Sequence, residues 1–222
     1  MAKTLLTDKQ KIFLEYFAGQ SKLINTFYLT GGTALSEFYL KHRFSEDLDF
    51  FSEKDFLPSS ITPFIKKSKE KLKFSAFDYQ DSFNRNIYHL LFGGGKFLKV
   101  EFTYFPFTQI EKPKKINGVL VDSLLDIAVN KVFTIHQNPR GRDYFDVFMI
   151  LKKEGWLLTD LIKKARIKFD TRVDPLQLGS QLIKVKDHLD DPILVNSNVK
   201  REDVEEFFFS EAKKLENLIL KK

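Results

Sequence analysis

Hydrophobic residues repeat with different periods in the two halves of the chain, and this change constrains the fold more than any other feature. In the first half, β-prone runs lie near residues 26–30, 47–51, 74–80, 86–92 and 97–105, and helical patterns lie near 7–19, 33–41 and 58–73. Beyond residue 121 the spacing is helical, near residues 122–137, 142–153, 157–168, 175–187 and 201–221. We therefore predict the α+β fold class, with the strands confined to the first half and an all-helical second half.

Two short polar stretches divide the predicted elements. Gly93–Lys96 separates two β-prone runs and is predicted to be a hairpin turn, because it lacks the GxxxxGK[ST] pattern and no helix follows it. The stretch Lys112–Lys115 contains a proline and is predicted to be a linker. We accordingly predict two domains, residues 1–116 and 117–222.

Composition excludes several classes of protein. The 222 residues include no cysteine, which excludes disulfide frameworks, zinc ribbons and cysteine nucleophiles. Charges run through the first twenty residues and no apolar run is long enough to span a membrane, so we expect a cytoplasmic protein with no membrane partner. The net charge of +6 is compatible with a polyanionic partner, and equally with a solvated surface.

A pair of aspartates marks the most informative strand. On a strand, side chains alternate between faces, so Ser45, Asp47 and Asp49 should project to one side and Leu48 and Phe50 to the other. Two carboxylates on one face repel each other unless a cation lies between them. Hard divalent cations such as Mg²⁺ prefer oxygen ligands, and the Asp-x-Asp pattern supplies two.

A glycine turn precedes this strand and complements it. Gly31 and Gly32 lack Cβ atoms, so the backbone can approach a phosphate closely, and a helix predicted from Thr33 would direct its free N–H groups to the same place. Either motif alone is consistent with a plain turn or a strand end. Together, in this order, they favour a site for triphosphate chemistry.

A third carboxylate lies on a later predicted strand. Glu101 shares the polar face of residues 97–105 with Lys99 and Thr103. It would complete a three-carboxylate metal site if that strand lies beside the aspartate strand. The alternative is a surface-facing glutamate on a half-buried strand.

These motifs resemble those of a known superfamily. Gly31-Gly32-Thr33, thirteen residues, then Asp47-Leu48-Asp49 and a later carboxylate resemble the polymerase-β-like nucleotidyltransferases. More narrowly, the segments 29–35 and 43–51 resemble the AbiEii-type nucleotidyltransferases, which include toxins of type IV toxin–antitoxin systems. The segment 142–146 is similar to that family's Arg-Asp-aromatic-aromatic-Asp motif, so the resemblance covers residues 26–151.

The resemblance implies a fold, an activity and partners. The fold is a nucleotidyltransferase core, in which a mixed sheet is flanked by helices, followed by a helical C-terminal domain. The activity is transfer of a nucleoside monophosphate from an NTP to an acceptor hydroxyl with release of pyrophosphate, assisted by two Mg²⁺ ions. The implied partners are the NTP, an RNA acceptor such as tRNA, and an antitoxin protein.

The same resemblance assigns roles to individual residues. The expected metal ligands are Asp47, Asp49 and Glu101. The expected catalytic residues are these three together with Lys131, and Glu101 is also a candidate base for the acceptor proton. The expected nucleotide-binding residues are Gly31, Gly32, Thr33, Arg43, Ser45, Asp143 and Asp146.

Lys131 supports two interpretations. It falls within the apolar arc of the helix predicted over residues 122–137, where an ammonium must reach the surface, form an ion pair or meet an anionic ligand. Asp143 and Asp146 are i, i+3 neighbours on the next helix and are candidate partners. A buried ion pair and a contact with the triphosphate therefore both stay open, and the two roles are compatible.

Two other functions use the same carboxylates. One is a metal-dependent nuclease, against which the glycine turn argues, because a nuclease needs no triphosphate cradle. The other is a nucleotide-binding or partner-binding module without turnover. Incubation with labelled NTP and RNA separates these possibilities, because transfer labels or lengthens the RNA and a nuclease shortens it.

Overall fold

The computed structural model describes residues 4–188, 194–195 and 199–219 and divides the chain into two compact units. The first unit contains the chain up to Tyr39 and Ser45–Ser123, and the second contains Leu40–Phe44 and the chain from Leu124 onward. The domain boundary expected between residues 116 and 117 falls inside a hairpin of the first unit. The observed division comes after Ser123, because the second strand of that hairpin is part of the sheet.

The first unit is built on a mixed sheet that has seven strands within the described residues. Its strands are β1 (Tyr28–Thr30), β2 (Leu48–Ser52), β3 (Ala76–Ser82), β4 (Arg85–Leu91), β5 (Phe97–Tyr104), β6 (Lys114–Ile116) and β7 (Val119–Val121). They lie in the order β3-β4-β5-β2-β1-β7-β6. The β2–β5 and β1–β7 pairs are parallel and the other neighbouring pairs are antiparallel.

Helices flank this sheet. They are α1 (Asp8–Ala18), α2 (Ser21–Ile24), α3 (Gly31–Ala34), which continues as a π-helical segment over Leu35–Leu40, and α4 (Thr62–Leu72), preceded by a 3₁₀ turn at Pro58–Ser60. The predicted α+β class with a mixed, helix-flanked sheet is thereby confirmed.

Aromatic side chains make up the contact between one face of the sheet and its helices. Phe17 of α1 lies 4.4 Å from Phe50 of β2, ring centre to ring centre, and Phe50 stacks on Phe102 of β5 at 5.1 Å. Phe13 and Phe64 close the cluster edge-to-face at 5.5 Å. Such offset and edge-to-face pairs add to the free energy of burial, so the sheet is held firmly on its apolar face and its other face is left for polar residues.

The prediction of a linker at Lys112–Lys115 is wrong, because residues from Lys114 onward form a strand. Lys114–Ile116 pairs antiparallel with Val119–Val121. Asn117 and Gly118 connect the two strands with φ values of 48° and 84°. Positive φ at both central residues is the mark of a type I′ turn, for which Asn-Gly is the favoured sequence. The hairpin signal was present in the sequence beside the lysine-rich stretch.

The second unit is helical in its described part. Its helices are α5 (Leu124–Gln137), α6 (Gly141–Glu154), α7 (Leu158–Lys168), α8 (Pro175–Ile183), followed by a 3₁₀ turn at Lys184–Asp187, and α9 (Arg201–Ile219). Residues 220 and 221 of the last predicted helix lie outside the described residues. Across the described ranges, no helix combines the length and apolarity that a membrane crossing requires.

Candidate active site

Strand register places the predicted carboxylates side by side in the first unit. Asp49 on β2 lies opposite Thr30 of β1 on one side and opposite Glu101 of β5 on the other. Leu48 and Phe50 are fully buried on the apolar face, whereas Asp49 is half-buried on the opposite face. Glu101 therefore neighbours Asp49, which meets the condition that the sequence analysis set for a third carboxylate at this site.

The glycine turn lies directly against this carboxylate. Gly31 has φ +71°, and a Cβ atom added there would be 2.4 Å from Oδ2 of Asp49. Real Cβ atoms do not approach an oxygen so closely, so the absent side chain is what allows the contact. The turn and the carboxylate strand thus meet at one place, which is the arrangement that the two motifs predicted.

The loop that leads into β2 is fixed by two side chains. Thr33 donates its hydroxyl to the backbone carbonyl of Asp47. Gln10 is fully buried and its amide nitrogen donates to the carbonyls of Ser45, at 2.9 Å, and Glu46, at 3.1 Å. The amide oxygen of Gln10 simultaneously accepts from the backbone of Thr7, completing the capping box of α1. Thr33 therefore helps to position the backbone of Asp47.

Glu101 is held by a charged partner that the sequence analysis did not identify. Arg85 donates to both carboxylate oxygens of Glu101 at 2.6 Å, and Thr103 donates at 2.9 Å. Burial disfavours the charged form, but the hydrogen bonds and charge of Arg85 outweigh it and keep the pKa of Glu101 below its ordinary value. Glu101 is thus ionised and bonded to Arg85.

Lys99 lies between two of the carboxylates. Its ammonium is 3.1 Å from Oδ2 of Asp47 and 3.4 Å from Oε2 of Glu101. In the ranges that the structure covers, no group of three or more His, Asp or Glu side chains is arranged to hold a metal ion. Glu101 contacts Arg85 and Lys99, and its role as a third metal ligand stays a prediction. The half-buried oxygens of Asp47 and Asp49 keep the donor chemistry that suits a hard divalent cation.

The second unit contains its own buried charge cluster. Asp146 is completely buried and accepts hydrogen bonds from Arg43, at 2.6 and 2.7 Å, and from His42, at 2.6 Å. Lys131 lies 2.7 Å from its second oxygen. Burial opposes ionisation, but these cations and donors hold the pKa of Asp146 well below its ordinary value. Burial also lowers the pKa of His42, and its Nε2–H donates to Asp146 because an ionised carboxylate can only accept.

Lys131 makes the ion pair that one interpretation predicted. Its ammonium reaches Asp143 at 2.9 Å as well as Asp146, and only 8% of the residue is exposed. Arg140 also donates its backbone N–H to Asp143, at 3.2 Å. Of the predicted nucleotide-binding residues, Arg43, Asp143 and Asp146 therefore form one ion-pair network with Lys131.

Lys131→Met should lower the free energy of unfolding by about 3–5 kcal/mol, because it leaves the buried Asp143 without its ammonium partner. Lys131→Met combined with Asp143→Asn should recover much of that loss, as measured by denaturant unfolding. A stable Lys131→Met protein whose kcat/KM falls by orders of magnitude would instead show that the ammonium acts on the substrate.

Comparison with known proteins identifies the family. The sequence profile described as nucleotidyl transferase AbiEii toxin, type IV toxin–antitoxin system, matches residues 12–215. The chain belongs to the AbiEii family. It is therefore a nucleotidyltransferase, and the AbiEii match extends beyond the residues 26–151 over which the sequence resemblance was recognised.

One relative of this AbiEii protein is similar in sequence, and two solved structures are similar in fold. An uncharacterised protein of Aquifex aeolicus (strain VF5) is 34% identical over 200 residues, which are 88% of this chain and 91% of the relative. A candidate nucleotidyltransferase from H. pylori has a TM-score of 0.60 at 22% identity, covering 97% of this chain and 98% of that one. JHP933 from Helicobacter pylori gives a TM-score of 0.59 at 21% identity, covering 96% and 93% of the two chains. The fold is shared with both structures.

Three residues of the AbiEii site escaped sequence reasoning. Arg85 was placed outside the predicted strand, so its pairing with Glu101 had no signal. Lys99 was seen on the same strand face as Glu101, and that alternation was sufficient to identify it as a candidate partner. Gln10 was recognised only as a helix cap, because its second set of hydrogen bonds joins residues more than thirty positions apart.

Gly31→Ala should abolish most of the activity of this AbiEii protein. Alanine at φ +71° costs about 1–3 kcal/mol, and its Cβ would also push the Asp49 carboxylate out of place. Gly94→Ala is the matched control, because Gly94 has φ +73° and open space around its Cβ position. Thermal unfolding should show a backbone cost for both variants, whereas a transfer assay should show lost activity for Gly31→Ala only. Equal activity of the two variants would contradict the close contact.

Proposed function

We propose that this AbiEii protein transfers a nucleoside monophosphate from a magnesium-bound NTP to a hydroxyl of an RNA acceptor. One observation carries the proposal most directly, which is the contact between the glycine turn and the Asp49 carboxylate. A turn without side chains can admit a triphosphate, and the adjoining carboxylates can hold the cation that such a substrate carries. A nuclease site has no need of the first feature.

In this proposal Asp47 and Asp49 are the residues that would hold the divalent cations. Cations held there would lower the pKa of the acceptor hydroxyl and supply positive charge opposite the departing pyrophosphate. Thr33 and Gln10 fix the backbone on which these aspartates lie. The backbone at Gly31 and Gly32 would contact the phosphates of the NTP.

Glu101 is assigned a supporting role in place of proton acceptance. Its two oxygens accept the guanidinium of Arg85, and its depressed pKa makes it a weak base. It keeps Arg85 and Lys99 on the same sheet face as Asp49. This assignment differs from the third metal ligand and candidate base that the resemblance implied.

In the second unit we propose that the predicted nucleotide-binding residues are mainly structural. Arg43, Lys131, Asp143 and Asp146 offset one another's charge within the network described above. Ion pairs of this kind are costly to break once buried. We therefore assign the network the role of holding the Leu40–Phe44 segment against α6.

The family supports the proposed protein partner, and the net charge is compatible with the proposed acceptor. The net charge of +6 is compatible with a polyanionic acceptor, because each phosphate contact releases counterions, and the acceptor end of tRNA is the first candidate. Membership of a type IV toxin–antitoxin family supports an antitoxin partner.

The test is incubation of the purified protein with total RNA, Mg²⁺ and each of the four NTPs in turn, followed by mass spectrometry of the RNA. We expect a mass increase of one or more nucleoside monophosphates with at least one NTP and none without divalent metal. Shortened RNA would identify a nuclease. RNA unchanged with every NTP would contradict an RNA acceptor.

A further inference from the structure

Lys99 has an unusual place in the first unit. It projects from β5 on the polar face of the sheet, and its side chain is only 21% exposed. Its ammonium contacts Asp47 and Glu101, and the charge of Asp49 also acts on it. The ammonium therefore lies among the carboxylates of this face.

Arg85 and Lys99, the two cations beside these carboxylates, differ in how firmly their hydrogen bonds hold them. Arg85 donates two parallel hydrogen bonds to Glu101, a geometry that fixes the guanidinium. Lys99 makes one hydrogen bond of 3.1 Å to Asp47 and a longer contact of 3.4 Å to Glu101, from a flexible side chain. Lys99 can therefore move away from Asp47 while it stays near Glu101. Arg85 is held on Glu101 by its two hydrogen bonds.

A divalent cation bound at Asp47 would meet this ammonium at close range. Like charges a few ångströms apart repel strongly where water is partly excluded. The oxygen that Lys99 occupies, Oδ2 of Asp47, is also the kind of ligand that such a cation seeks. The ammonium and a metal ion would therefore compete for one carboxylate.

We propose that Lys99 is an internal competitor of the divalent cation. It neutralises Asp47 in the metal-free protein and must leave that carboxylate when the metal binds, so it weakens the affinity for the metal. The inference rests on the proposed function, because it requires Asp47 and Asp49 to be metal ligands. Lys99 thus acts on the metal through Asp47, and replacing Lys99 by an uncharged residue should increase the affinity for the metal.

The test measures Mn²⁺ binding directly, by the loss of the electron paramagnetic resonance signal of free Mn²⁺, without NTP or RNA. Lys99→Met should bind Mn²⁺ about tenfold more tightly than the wild type. Lys99→Arg keeps the charge and should stay near the wild-type affinity. Lys67→Met, on the exposed face of α4, removes the same net charge away from the carboxylates and should change little.

Thermal unfolding gives a second measurement on the same proteins. Without metal, Lys99→Met should melt below the wild type, because the carboxylates lose the cation that offsets their repulsion. Added Mn²⁺ should raise the melting temperature of Lys99→Met more than that of the wild type, because the tighter binder gains more from the ligand.

The outcomes separate the inference from the function that underlies it. If wild type and Lys99→Met bind Mn²⁺ equally, or Lys99→Met binds more weakly, the competition is overturned and the metal site stands. If Asp49→Asn binds Mn²⁺ as well as the wild type, or none of the proteins binds it, the proposed metal site and the competition both fail. If Lys67→Met also bound Mn²⁺ tenfold more tightly, the effect would come from net charge alone. The proposed role of Lys99 would then be overturned.

Discussion

Asp49→Asn should keep the fold and lose about a thousandfold or more of the rate of nucleotidyl transfer. The substitution is nearly isosteric, so the neighbouring Gly31 backbone is undisturbed, but it removes the charge that would bind the divalent cation. Preorganised charge at the reacting phosphates is usually the largest single contribution to catalysis. The measurement is kcat/KM for the NTP at a saturating concentration of Mg²⁺, alongside a thermal unfolding curve.

A matched control for this loss is Asp78→Asn on β3. Asp78 is an exposed aspartate of the same sheet, so its substitution removes the same charge from the same unit. It should leave the transfer rate within a factor of about two, in line with ordinary surface substitutions. Full activity of a folded Asp49→Asn protein at saturating metal would contradict the assignment of the carboxylate strand.

Asp146→Asn should lower the free energy of unfolding by about 3–5 kcal/mol, because Arg43 and Lys131 would be left buried without their shared carboxylate. Denaturant unfolding measures this loss. The control is Asp160→Asn, which breaks an exposed pair with Lys163 and should cost less than about 1 kcal/mol. Equal stability of the two variants would contradict the buried network.

The same carboxylate should make stability depend on pH. The pKa of Asp146 is well below its ordinary value of 3.8 in the folded state, so its stabilising effect is present above that value. It is lost as the pH falls through the folded pKa. The wild type should therefore lose its advantage over Asp146→Asn on acidification below about pH 4. An advantage that stays constant down to pH 2 would argue against this linkage.

The local chemistry of the site could be predicted from the sequence. The alternation at Asp47 and Asp49 and the glycine turn are short-range patterns, and both follow from strand and turn geometry. The proximity of Glu101 to Asp49 also followed, since alternation placed it on a polar strand face, although strand order had to be assumed. The helices of the second unit were predicted closely because their apolar periodicity is long and regular.

The contacts of Arg85 and Gln10 could not be predicted in the same way. Arg85 reaches Glu101 only because β4 pairs with β5 in one register, and register is set by packing across the whole sheet. Gln10 reaches the backbone before Asp47 because α1 packs near that loop. Such contacts depend on tertiary structure, and local patterns carry no information about them.

The central claim is transfer of the nucleotidyl group, and the position of a label tests it most directly. Wild-type protein is incubated with RNA and the accepted NTP, labelled either on the α-phosphate or on the γ-phosphate. The account predicts that the α-label enters the RNA and that the γ-label leaves as pyrophosphate, with neither label transferred by Asp49→Asn. Transfer of the γ-label to RNA, or equal α-label incorporation by Asp49→Asn, would contradict it.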